Sequence, residues 1–405
     1  MTFHKTCVGL AAATLLLGSS LAHAADDGPV KVAVLTDLTG FLSQALGPGS
    51  VDGARMAIED FGGQVLGKKI ELVSADHQNK PDVGLATARK WYESEGVDVI
   101  ADIGNSAVGM GVQELTKNKK KLVFFTGASS SVFTGAACSP YGTQWSHDSY
   151  MFSSALPARL AAKGDKNWFI LTADFAFGQA LTTDTTKAVT SAGGKLIGSV
   201  KHPPNSSDFS SFLMQASASK AQVVALANAT SDTTNAIKQW NEFQMGGKSQ
   251  KLVALAFLLS DVKALGLPVA QGTMFSTVWY WDLDDKTRAF SQRFFERNKF
   301  MPTEAHASTY SAVTHYLKAV KAAGTKDPDV VRVKMRELPV NDFYSDNLQI
   351  REDGRVMRKS YIAQVKTPAE SRGPWDLYKI LETIPAEQSW KPLAASDCPL
   401  VKKGV

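Results

Sequence analysis

Two short loops of small polar residues are placed where they could hold an anion. Residues 104–109 follow a predicted strand and open a helix, and residues 126–131 follow the next strand. Backbone N–H groups in the first turn of a helix have no partner inside the helix, and the helix dipole favours negative charge there. The two loops therefore predict a site for a small anion such as a carboxylate, with simple helix capping as the alternative.

Aromatic side chains cluster at other predicted strand ends. Phe175 and Phe177 follow a strand near the middle of the chain, and residues 279–282 read Trp-Tyr-Trp-Asp. A further loop carries Asn228. Aromatic rings at strand ends in a cleft suit a flat, apolar ligand. The alternative interpretation is that these rings belong to the core.

Sequence motifs of catalysis are missing. The chain contains no G-x-S-x-G, H-E-x-x-H, G-x-G-x-x-G or phosphate-loop pattern, each of which would place a nucleophile, a metal or a phosphate. Histidines are scattered, and no pair of carboxylates stands out. We therefore expect a binding protein without a cofactor or metal, and an exported dehydrogenase or hydrolase is the less favoured alternative.

Composition and charge narrow the class further. Of the 405 residues, 44% are hydrophobic and 20% are charged, which is typical of a globular protein and excludes a disordered or collagen-like chain. This length suggests two or three domains. A formal net charge of +5 is too small, over so long a chain, to indicate nucleic acid as a partner.

The N-terminus has the layout of a secretory signal peptide. Lys5 precedes an uncharged apolar run at residues 8–21, and residues 22–24 (Ala-His-Ala) form an A-x-A cleavage site. The run is shorter than the roughly 20 residues of a membrane helix, so a retained anchor is the weaker alternative. We expect residues 1–24 to be removed and the mature protein to begin near Ala25, outside the cytoplasm.

Cysteine content fits export. Cys7 would leave with the signal peptide, and Cys138 and Cys398 would remain. Two cysteines in an oxidising compartment predict a disulfide, with two free buried thiols as the alternative.

Predicted strands and helices alternate along the mature chain. The first series has strands at residues 30–35, 69–75, 97–103 and 122–125, and the second has strands at 168–171, 195–200, 222–227 and 252–256. Helices between the strands indicate two α/β units with parallel sheets. Later residues predict helices at 285–299 and 303–323, then a hairpin at Asp353-Gly354 that joins 348–350 to 356–365. The tail after Pro368 shows no clear periodicity.

Several segments spread over the mature chain resemble periplasmic solute-binding proteins of the branched-chain amino acid type, which serve ATP-driven (ABC) uptake transporters. The matching segments are residues 32–40, 53–57, 103–106, 172–178 and 207–209. The resemblance implies an α/β fold of type I, in which two lobes, each a parallel sheet flanked by helices, are joined by three hinge crossings. We place lobe one at residues 25–147 and 280–344, and lobe two with the C-terminal tail at 148–279 and 345–405.

Two positions differ from the usual residues of this family, and the difference affects which ligand can bind. Amino acid binders usually carry a hydroxyl residue where Val108 lies and an acidic residue near Phe257, and both positions are apolar here. A buried ammonium without an acid would be costly. The loop at 105–108 and residues 280–283 instead resemble the branch that binds aromatic carboxylates of the benzoate or cinnamate kind.

The resemblance and the loops together predict a cleft that captures a small acid and a partner permease in the membrane that receives it. The mature protein is expected in the periplasm. Binding of a branched-chain or other amino acid, and a role as a ligand-sensing module, are the alternatives. The residues expected to contact the ligand are Phe41, Asn105, Ser106, Ala107, Val108, Gly127, Ala128, Ser129, Trp145, Tyr150, Phe175, Phe177, Asn228, Phe257, Tyr280 and Trp281.

Overall fold

The structure, a computed structural model, describes residues 1–2, 28–247 and 249–401. The predicted signal peptide at residues 1–24 therefore lies almost entirely outside the described residues and stays a prediction. Within the described part of the chain, no helix combines the length and the apolar character that crossing a membrane requires.

Thirteen strands and thirteen α-helices lie in the described residues. The strands are β1 Val30–Thr36, β2 Gln64–Val65, β3 Lys68–Asp76, β4 Val99–Ile103, β5 Leu122–Phe125, β6 Gly142–Gln144, β7 Asn167–Ala173, β8 Lys195–His202, β9 Val223–Ala227, β10 Lys251–Ala254, β11 Met274–Thr277, β12 Ser360–Val365 and β13 Tyr378–Ile384. The helices are α1 Gly47–Asp60, α2 Pro81–Glu93, α3 Ser106–Lys119, α4 Ser149–Ala162, α5 Ala176–Ser191, α6 Ser210–Ala218, α7 Thr230–Glu242, α8 Leu259–Leu265, α9 Leu267–Ala270, α10 Asp285–Asn298, α11 Glu304–Ala323, α12 Pro328–Glu337 and α13 Ala386–Ser389.

Lobe one is built on the first sheet, whose strand order is β2-β3-β1-β4-β5-β6. Its strands are parallel except for the short β2. Because side chains alternate along a strand, Val32 and Val34 of β1 pack with α1 and α11 on one face, and Ala33 and Leu35 pack with α2 and α3 on the other. Helices on both faces explain why the predicted strands read as continuous apolar runs.

Lobe two is built on a second, fully parallel sheet of order β10-β9-β7-β8. Helices again cover both faces, with α4 and α5 on one side and α6, α7 and α8 on the other. The two predicted α/β units are thus confirmed as two parallel sheets. Because helices connect most successive strands, the carboxyl ends of the parallel strands lie at the same edge of each sheet.

A third, antiparallel sheet of order β11-β12-β13 packs against lobe two. The sequence prediction of a hairpin around Asp353-Gly354 was wrong in extent. A turn forms there, but only Ile350 and Val356 pair across it. Residues of β12 pair with β11 and β13 instead, because the aperiodic-looking tail supplies the strand β13.

The chain passes between the two lobes three times: after β6, after β11 and between α12 and β12. Helix α10 belongs with lobe one, since Arg293 forms an ion pair with Asp60 of α1. A disulfide joins Cys138, which follows β5, to Cys398 in the tail, with their Cα atoms 5.6 Å apart. The exact lobe boundaries given above stay a prediction.

Candidate binding site between the two parallel sheets

A cavity lies between the two parallel sheets, at the carboxyl ends of their strands. Loops after β1, β4, β5 and β6 form its lobe-one wall, and α4 with the loops after β7, β9 and β10 forms its lobe-two wall. Open α/β sheets bind ligands at such strand ends. The cavity volume is about 50 Å³, so the walls nearly meet. The lining residues are Leu42, Ala45, Leu46, Gly104, Asn105, Ser106, Gly127, Ser129, His147, Phe152, Phe175, Phe177, Ala229, Thr230, Ala256 and Leu258.

The lobe-one wall contains the predicted anion loop, but Asn105 occupies part of it. The Asn105 Oδ1 atom accepts hydrogen bonds from the backbone N–H groups of Ala107 (2.7 Å) and Val108 (3.1 Å). This is ordinary N-capping of α3. Two of the donors that the sequence analysis assigned to a carboxylate are therefore already satisfied, and the Ser106 hydroxyl, which accepts from the Ser129 N–H at 3.3 Å, still has its proton to donate.

The lobe-two wall presents two helix ends without such a cap. Helix α5 begins after Phe175 and α7 begins after Ala229, and neither N-cap side chain makes a capping hydrogen bond in the described residues. Thr230, in the first turn of α7, has a buried hydroxyl with no hydrogen-bond partner there either. Unsatisfied donors at a helix N-terminus favour an anion, so the lobe-two wall offers more for a carboxylate than the predicted loop does.

Three phenylalanines give the lobe-two wall an aromatic surface. The ring centroids of Phe175 and Phe177 are 6.2 Å apart, and Phe152 meets Phe177 edge to face at 6.3 Å. His147 lies against Phe152 at 4.7 Å. These separations are those of favourable aromatic pairs, and a planar ligand would extend the same packing.

His147 is the titratable residue of the lining, and burial keeps it neutral. Burial, with the nearby charge of Arg355, lowers the pKa of His147 to about 3. Its Nδ1 atom is 3.7 Å from Glu304 Oε1, and burial raises the pKa of Glu304 to about 7. Because the imidazole carries no charge, this contact is not an ion pair. Among the described residues, no Asp, Glu, Lys or Arg lines the cavity.

Two buried carboxyl groups stand behind His147 without lining the cavity. They belong to Glu304 and Asp261, and the charge of Asp261 raises the pKa of Glu304, although less than burial does. Burial raises the pKa of Asp261 to about 7, although its carboxylate accepts the Leu258 N–H at 2.9 Å. The cavity is thus separated from the nearest acids on that side by a neutral ring.

Of the sixteen residues expected to contact ligand, the structure brings six together around the cavity: Asn105, Ser106, Gly127, Ser129, Phe175 and Phe177. The other ten lie outside its lining.

Trp145, Phe257 and Asn228 are interior residues. Trp145 is fully buried in lobe one and donates its indole N–H to Ser311 Oγ at 2.9 Å. Phe257 packs edge to face on Phe275 at 5.5 Å in the core of lobe two. Asn228 is buried and accepts a hydrogen bond from the Thr233 hydroxyl at 2.7 Å. Their position near strand ends matched the pattern, but their side chains point away from the cleft.

Tyr280 and Trp281 lie away from the cavity because β11, which they follow, belongs to the antiparallel sheet. Tyr280 packs on Tyr378 with ring centroids 4.0 Å apart. The Trp281 indole donates to the carbonyl oxygen of Trp375 at 2.8 Å. The rule that ligands bind at strand ends applies to the parallel sheets. Tyr280 and Trp281 instead pack beside the third sheet.

The remaining five expected residues also lie outside the lining. Val108 and Ala128 are buried in the core of lobe one, and Ala107 and Phe41 are half-buried beside the cavity loops. Tyr150 lines a separate surface depression next to α5.

Ten lining residues were not among the sequence predictions: Leu42, Ala45, Leu46, Gly104, His147, Phe152, Ala229, Thr230, Ala256 and Leu258. Most follow a strand directly, so applying the strand-end rule evenly to all loops would have found them. Phe152 had no such signal, because it lies on α4, a helix that the sequence analysis did not predict.

A larger hollow of about 630 Å³ lies elsewhere, between residues 278–287 and 342–361. It is formed by two of the chain crossings, and its lining mixes Asp284, Asp342 and Asp346 with Lys286 and Lys359. No parallel strand ends there, so the smaller cavity is the better candidate site.

The cleft geometry agrees with comparisons to known proteins. A family model described as periplasmic binding protein matches residues 29–373. The chain belongs to the periplasmic binding protein family. It is a solute-binding protein of the ABC transporter type, the family places it in the periplasm, and its relatives are binding proteins and not enzymes.

Solved structures of this family share the fold over nearly the whole chain. A periplasmic binding protein from Burkholderia mallei is 42% identical, covers 92% of this chain and 99% of its own, and has a TM-score of 0.89. A branched-chain amino acid ABC transporter periplasmic ligand-binding protein from Burkholderia xenovorans is 39% identical, with 92% and 100% covered and a TM-score of 0.83. A Rhodopseudomonas palustris solute-binding protein in complex with benzoate is 19% identical over 92% and 100%, with a TM-score of 0.80.

Proposed function

We propose that this periplasmic binding protein captures a small aromatic carboxylate, of the benzoate or cinnamate kind, in the cavity between its lobes and delivers it to a membrane permease. One observation carries the proposal. The N-termini of α5 and α7, which have no side-chain cap, meet the rings of Phe152, Phe175 and Phe177 in a cavity that, among the described residues, no Asp, Glu, Lys or Arg lines.

The carboxylate would lie against the start of α7, where Thr230 can donate its hydroxyl proton. The positive end of the helix dipole stabilises an anion there, and the buried Thr230 hydroxyl gains the partner that it lacks. Ser106 of lobe one faces the same cavity and has a proton to donate. The two walls nearly meet in this structure, so a ligand that bonds to both walls would hold the lobes in this closed arrangement, which would form the surface that the permease recognises.

The ring would pack on the aromatic wall of lobe two. Apolar burial supplies most of the affinity of such pockets, and a few polar groups set orientation. The benzoate complex of the R. palustris protein shows that this fold accommodates a benzoate ligand, which supports the proposal without transferring its site residues.

An amino acid ligand is the second candidate, favoured by one observation. Glu304 lies just behind His147, and a rotation of the His147 ring would expose its carboxyl group to an ammonium group. The B. xenovorans relative carries the branched-chain amino acid name. Against this candidate, the ammonium would have no charged partner in the closed cavity as it stands.

Calorimetry on the mature protein separates the two candidates. The protein is unfolded in denaturant, dialysed and refolded first, so that any ligand carried through purification is removed. Benzoate and cinnamate are then titrated beside leucine, isoleucine and valine. We expect an aromatic acid to bind and the amino acids to give no heat. Tight binding of leucine with no response to either acid would overturn the proposal.

The carboxylate contact has its own test. Thr230→Val removes the hydroxyl at nearly constant shape, and we expect the affinity for benzoate to fall about tenfold, the loss of one hydrogen bond to a charged group. Thr172→Val is the matched control, because its hydroxyl pairs with Thr182 at 2.8 Å away from the cavity. Benzamide should bind wild type far more weakly than benzoate. Equal affinity for the acid and the amide would exclude an anion site.

A further inference from the structure

Arg358 is a buried cation in the segment that connects α12 to β12. Only 3% of the residue is exposed, and its guanidinium carbon lies 3.9 Å from the centroid of the Tyr344 ring. The Nη1 atom donates to Ser345 Oγ at 3.3 Å. Within the described part of the chain, Nε and Nη2 have no hydrogen-bond partner. A buried charge without an opposite charge is costly, so these two donors indicate a place for an anion.

Arg355, which precedes Arg358 by one short turn of chain, shows what a buried arginine binds in this protein. It is 1% exposed, and its guanidinium lies over the Trp390 ring at 4.1 Å. Its Nη1 atom donates to the carbonyl oxygen of Ser146 and its Nη2 atom to the Asp148 carboxylate. Both arginines thus have an aromatic ring beneath them and a neutral oxygen on Nη1, but only Arg355 has a carboxylate on Nη2. The comparison indicates a carboxylate as the acceptor for Arg358.

The two free donors of Arg358 are those that fit a carboxylate best. The Nε–H bond and one N–H bond of Nη2 lie on the same edge of the planar guanidinium group and point in the same direction. They can therefore donate to both oxygens of one carboxylate, which is the bidentate arrangement that arginine favours. A lysine ammonium group has the same charge but does not offer two parallel donors.

Arg358 lines the hollow of about 630 Å³ that two of the chain crossings form. This volume lies in the range of small-molecule sites. The loop at 341–347, which is in neither a helix nor a strand, covers the guanidinium with Tyr344 and Ser345. Nε and Nη2 are shielded from water, so a movement of this loop would admit the anion. Apolar side chains that line the hollow are Val278, Leu283, Phe343 and Met357.

Other charges in the hollow favour an anion with a single charge. Asp342 accepts hydrogen bonds from the Ser311 hydroxyl and the Tyr344 N–H, and Asp284 accepts that of the Thr287 N–H. These carboxylates therefore bond elsewhere than to Arg358, and they would repel a multiply charged anion more strongly than a monocarboxylate. The charged residues of the lining are Asp284, Asp285, Lys286, Asp342, Asp346, Arg358 and Lys359.

We propose that the hollow between the chain crossings is a second binding site, in which Arg358 holds a small monocarboxylate through Nε–H and Nη2–H. The hollow shares no lining residue with the cavity between the parallel sheets, so this site does not rest on the proposed function. Its walls come from two of the segments that connect the lobes. A carboxylate bound there would hold these two connections in one arrangement.

The experiment measures thermal melting of the refolded mature protein at rising concentrations of acetate. Acetamide, which has the same shape without the charge, is the matched ligand, and sodium chloride keeps the ionic strength equal. We expect acetate to raise the melting temperature of wild type above that in acetamide by about 2–4 °C at ten times the dissociation constant.

Two variants of Arg358 then locate the effect. Arg358→Lys keeps the charge without the parallel donors, and Arg358→Met removes the charge at similar length. We expect both to lose most of the acetate shift. In acetamide, Arg358→Met should melt no lower than wild type, because it removes a buried cation that has no carboxylate partner. Arg297→Met, at an exposed arginine of α10 that pairs with Glu59, is the matched control and should keep the full shift.

The outcomes separate this site from the cleft. An acetate shift that is the same in wild type and both Arg358 variants, all folded by circular dichroism, overturns the second site. If that shift is also smaller in Thr230→Val, acetate binds in the cleft, and the proposed function stands without the second site. A melting temperature of Arg358→Met that falls equally in acetate and acetamide would give Arg358 a structural role only. A larger Arg358-dependent shift in phosphate than in acetate would overturn the assignment to a monocarboxylate.

Discussion

The two walls of the cavity differ although both are loops at the ends of parallel strands. In lobe one the helix end is capped by the Asn105 side chain, the lining residues have small side chains, and buried polar residues such as His77 and Asp102 lie behind Gly104 and Gly127. In lobe two the ends of α5 and α7 have no side-chain cap in the described residues, and Phe175 and Phe177 supply the surface. The same architecture therefore offers buried polar residues on one side, and helix ends without a side-chain cap next to aromatic rings on the other.

This difference shows that fold and recognition are set by separate residues. Strand order and helix packing bring the loops together, and the residue at each helix N-cap decides whether the helix end stays free for a ligand. A protein that binds a carboxylate needs only one helix N-terminus that is not capped by its own side chain. Variants on each side can separate the residues that hold a wall in place from the residues that contribute to ligand affinity.

The largest effect is expected from the disulfide, which anchors the chain that follows the lobe-one wall. It closes a loop spanning 260 residues between Cys138 and Cys398. Replacing both by serine should lower the free energy of unfolding by about 2–5 kcal/mol, measured by denaturant titration. Since neither cysteine lines the cavity, ligand affinity under native conditions should change little. An unchanged unfolding midpoint would contradict the prediction.

The next effect concerns how closely α5 approaches its sheet under the lobe-two wall. A methyl group at Gly178 would lie 2.2 Å from the carbonyl oxygen of Ala173 and 3.0 Å from that of Ala227, both backbone atoms. Gly178→Ala should therefore destabilise by about 3 kcal/mol, at the upper end of overpacking costs, and should weaken binding by shifting Phe177.

Gly111 in α3 is the matched control in lobe one. The nearest atom to an added methyl group there is a Leu85 side-chain carbon at 3.5 Å, an ordinary contact. Gly111→Ala should be neutral or stabilising by about 0.5–1 kcal/mol, because alanine favours the helix. Thermal melts of the two variants that shift equally would show that the close approach at Gly178 has no special cost.

The buried carboxyl group of Asp102 in lobe one should make the stability of the protein depend on pH. Burial raises its pKa in the folded protein from 3.8 to about 6, so the folded state holds more protons than the unfolded state between those values. Its contribution to stability is full below pH 4 and is lost as the pH rises through 6. Asp102→Asn removes that loss, and asparagine also tolerates the φ of 94° found here.

The measurement is the difference in unfolding free energy between Asp102→Asn and wild type from pH 4 to pH 7. We expect the variant to gain roughly 2 kcal/mol relative to wild type over this range, since each unit of pKa shift corresponds to about 1.4 kcal/mol. Taking the difference cancels the opposite contribution of buried histidines such as His147. Asp346→Asn, at an exposed position, is the control and should give a flat difference.

The smallest effect is expected from a single ring of the aromatic wall. Phe177→Leu should weaken binding of an aromatic acid about 2- to 10-fold, the range of one aromatic pair of about 0.5–1.5 kcal/mol. Phe275→Leu changes the same residue type in the core of lobe two, where it packs on Phe257 and Tyr378. It should lower stability and leave affinity alone. Equal affinity losses in both variants would mean that Phe177 acts through stability only.

Most regular elements follow from local patterns. The first strand was predicted at residues 30–35 and spans Val30–Thr36, and the helix predicted at 303–323 spans Glu304–Ala323. Pattern-based prediction failed where local signals conflict. Helix α4 contains Pro157, and its apolar residues are not confined to one face, so it lacks the one-sided periodicity of a surface helix. Strand β13 lies in a tail whose partners are distant in sequence.

Local patterns likewise identified some residues of the candidate site correctly and misplaced others. Loops after parallel strands can be recognised locally, and the sequence pointed to Asn105, Ser106, Gly127, Ser129, Phe175 and Phe177, which line the cavity. Tyr280 and Trp281 fit the same local description, yet their strand joins an antiparallel sheet. Which sheet a strand enters depends on pairing across more than 80 residues, and a local pattern does not contain it.

The sequence by itself determined the two α/β units, because strand and helix periodicity and the order of elements constrain parallel sheets strongly. The family and its cleft were implied by the resemblance of segments such as residues 32–40 and 172–178. Only the tertiary structure decided which helix ends are free. Asn105 caps α3 by turning its own side chain onto Ala107 and Val108, and Thr36, His77 and Asp102 meet behind Leu46 from three different strand ends. Such contacts depend on side-chain direction and burial, which arise when separate segments pack against one another.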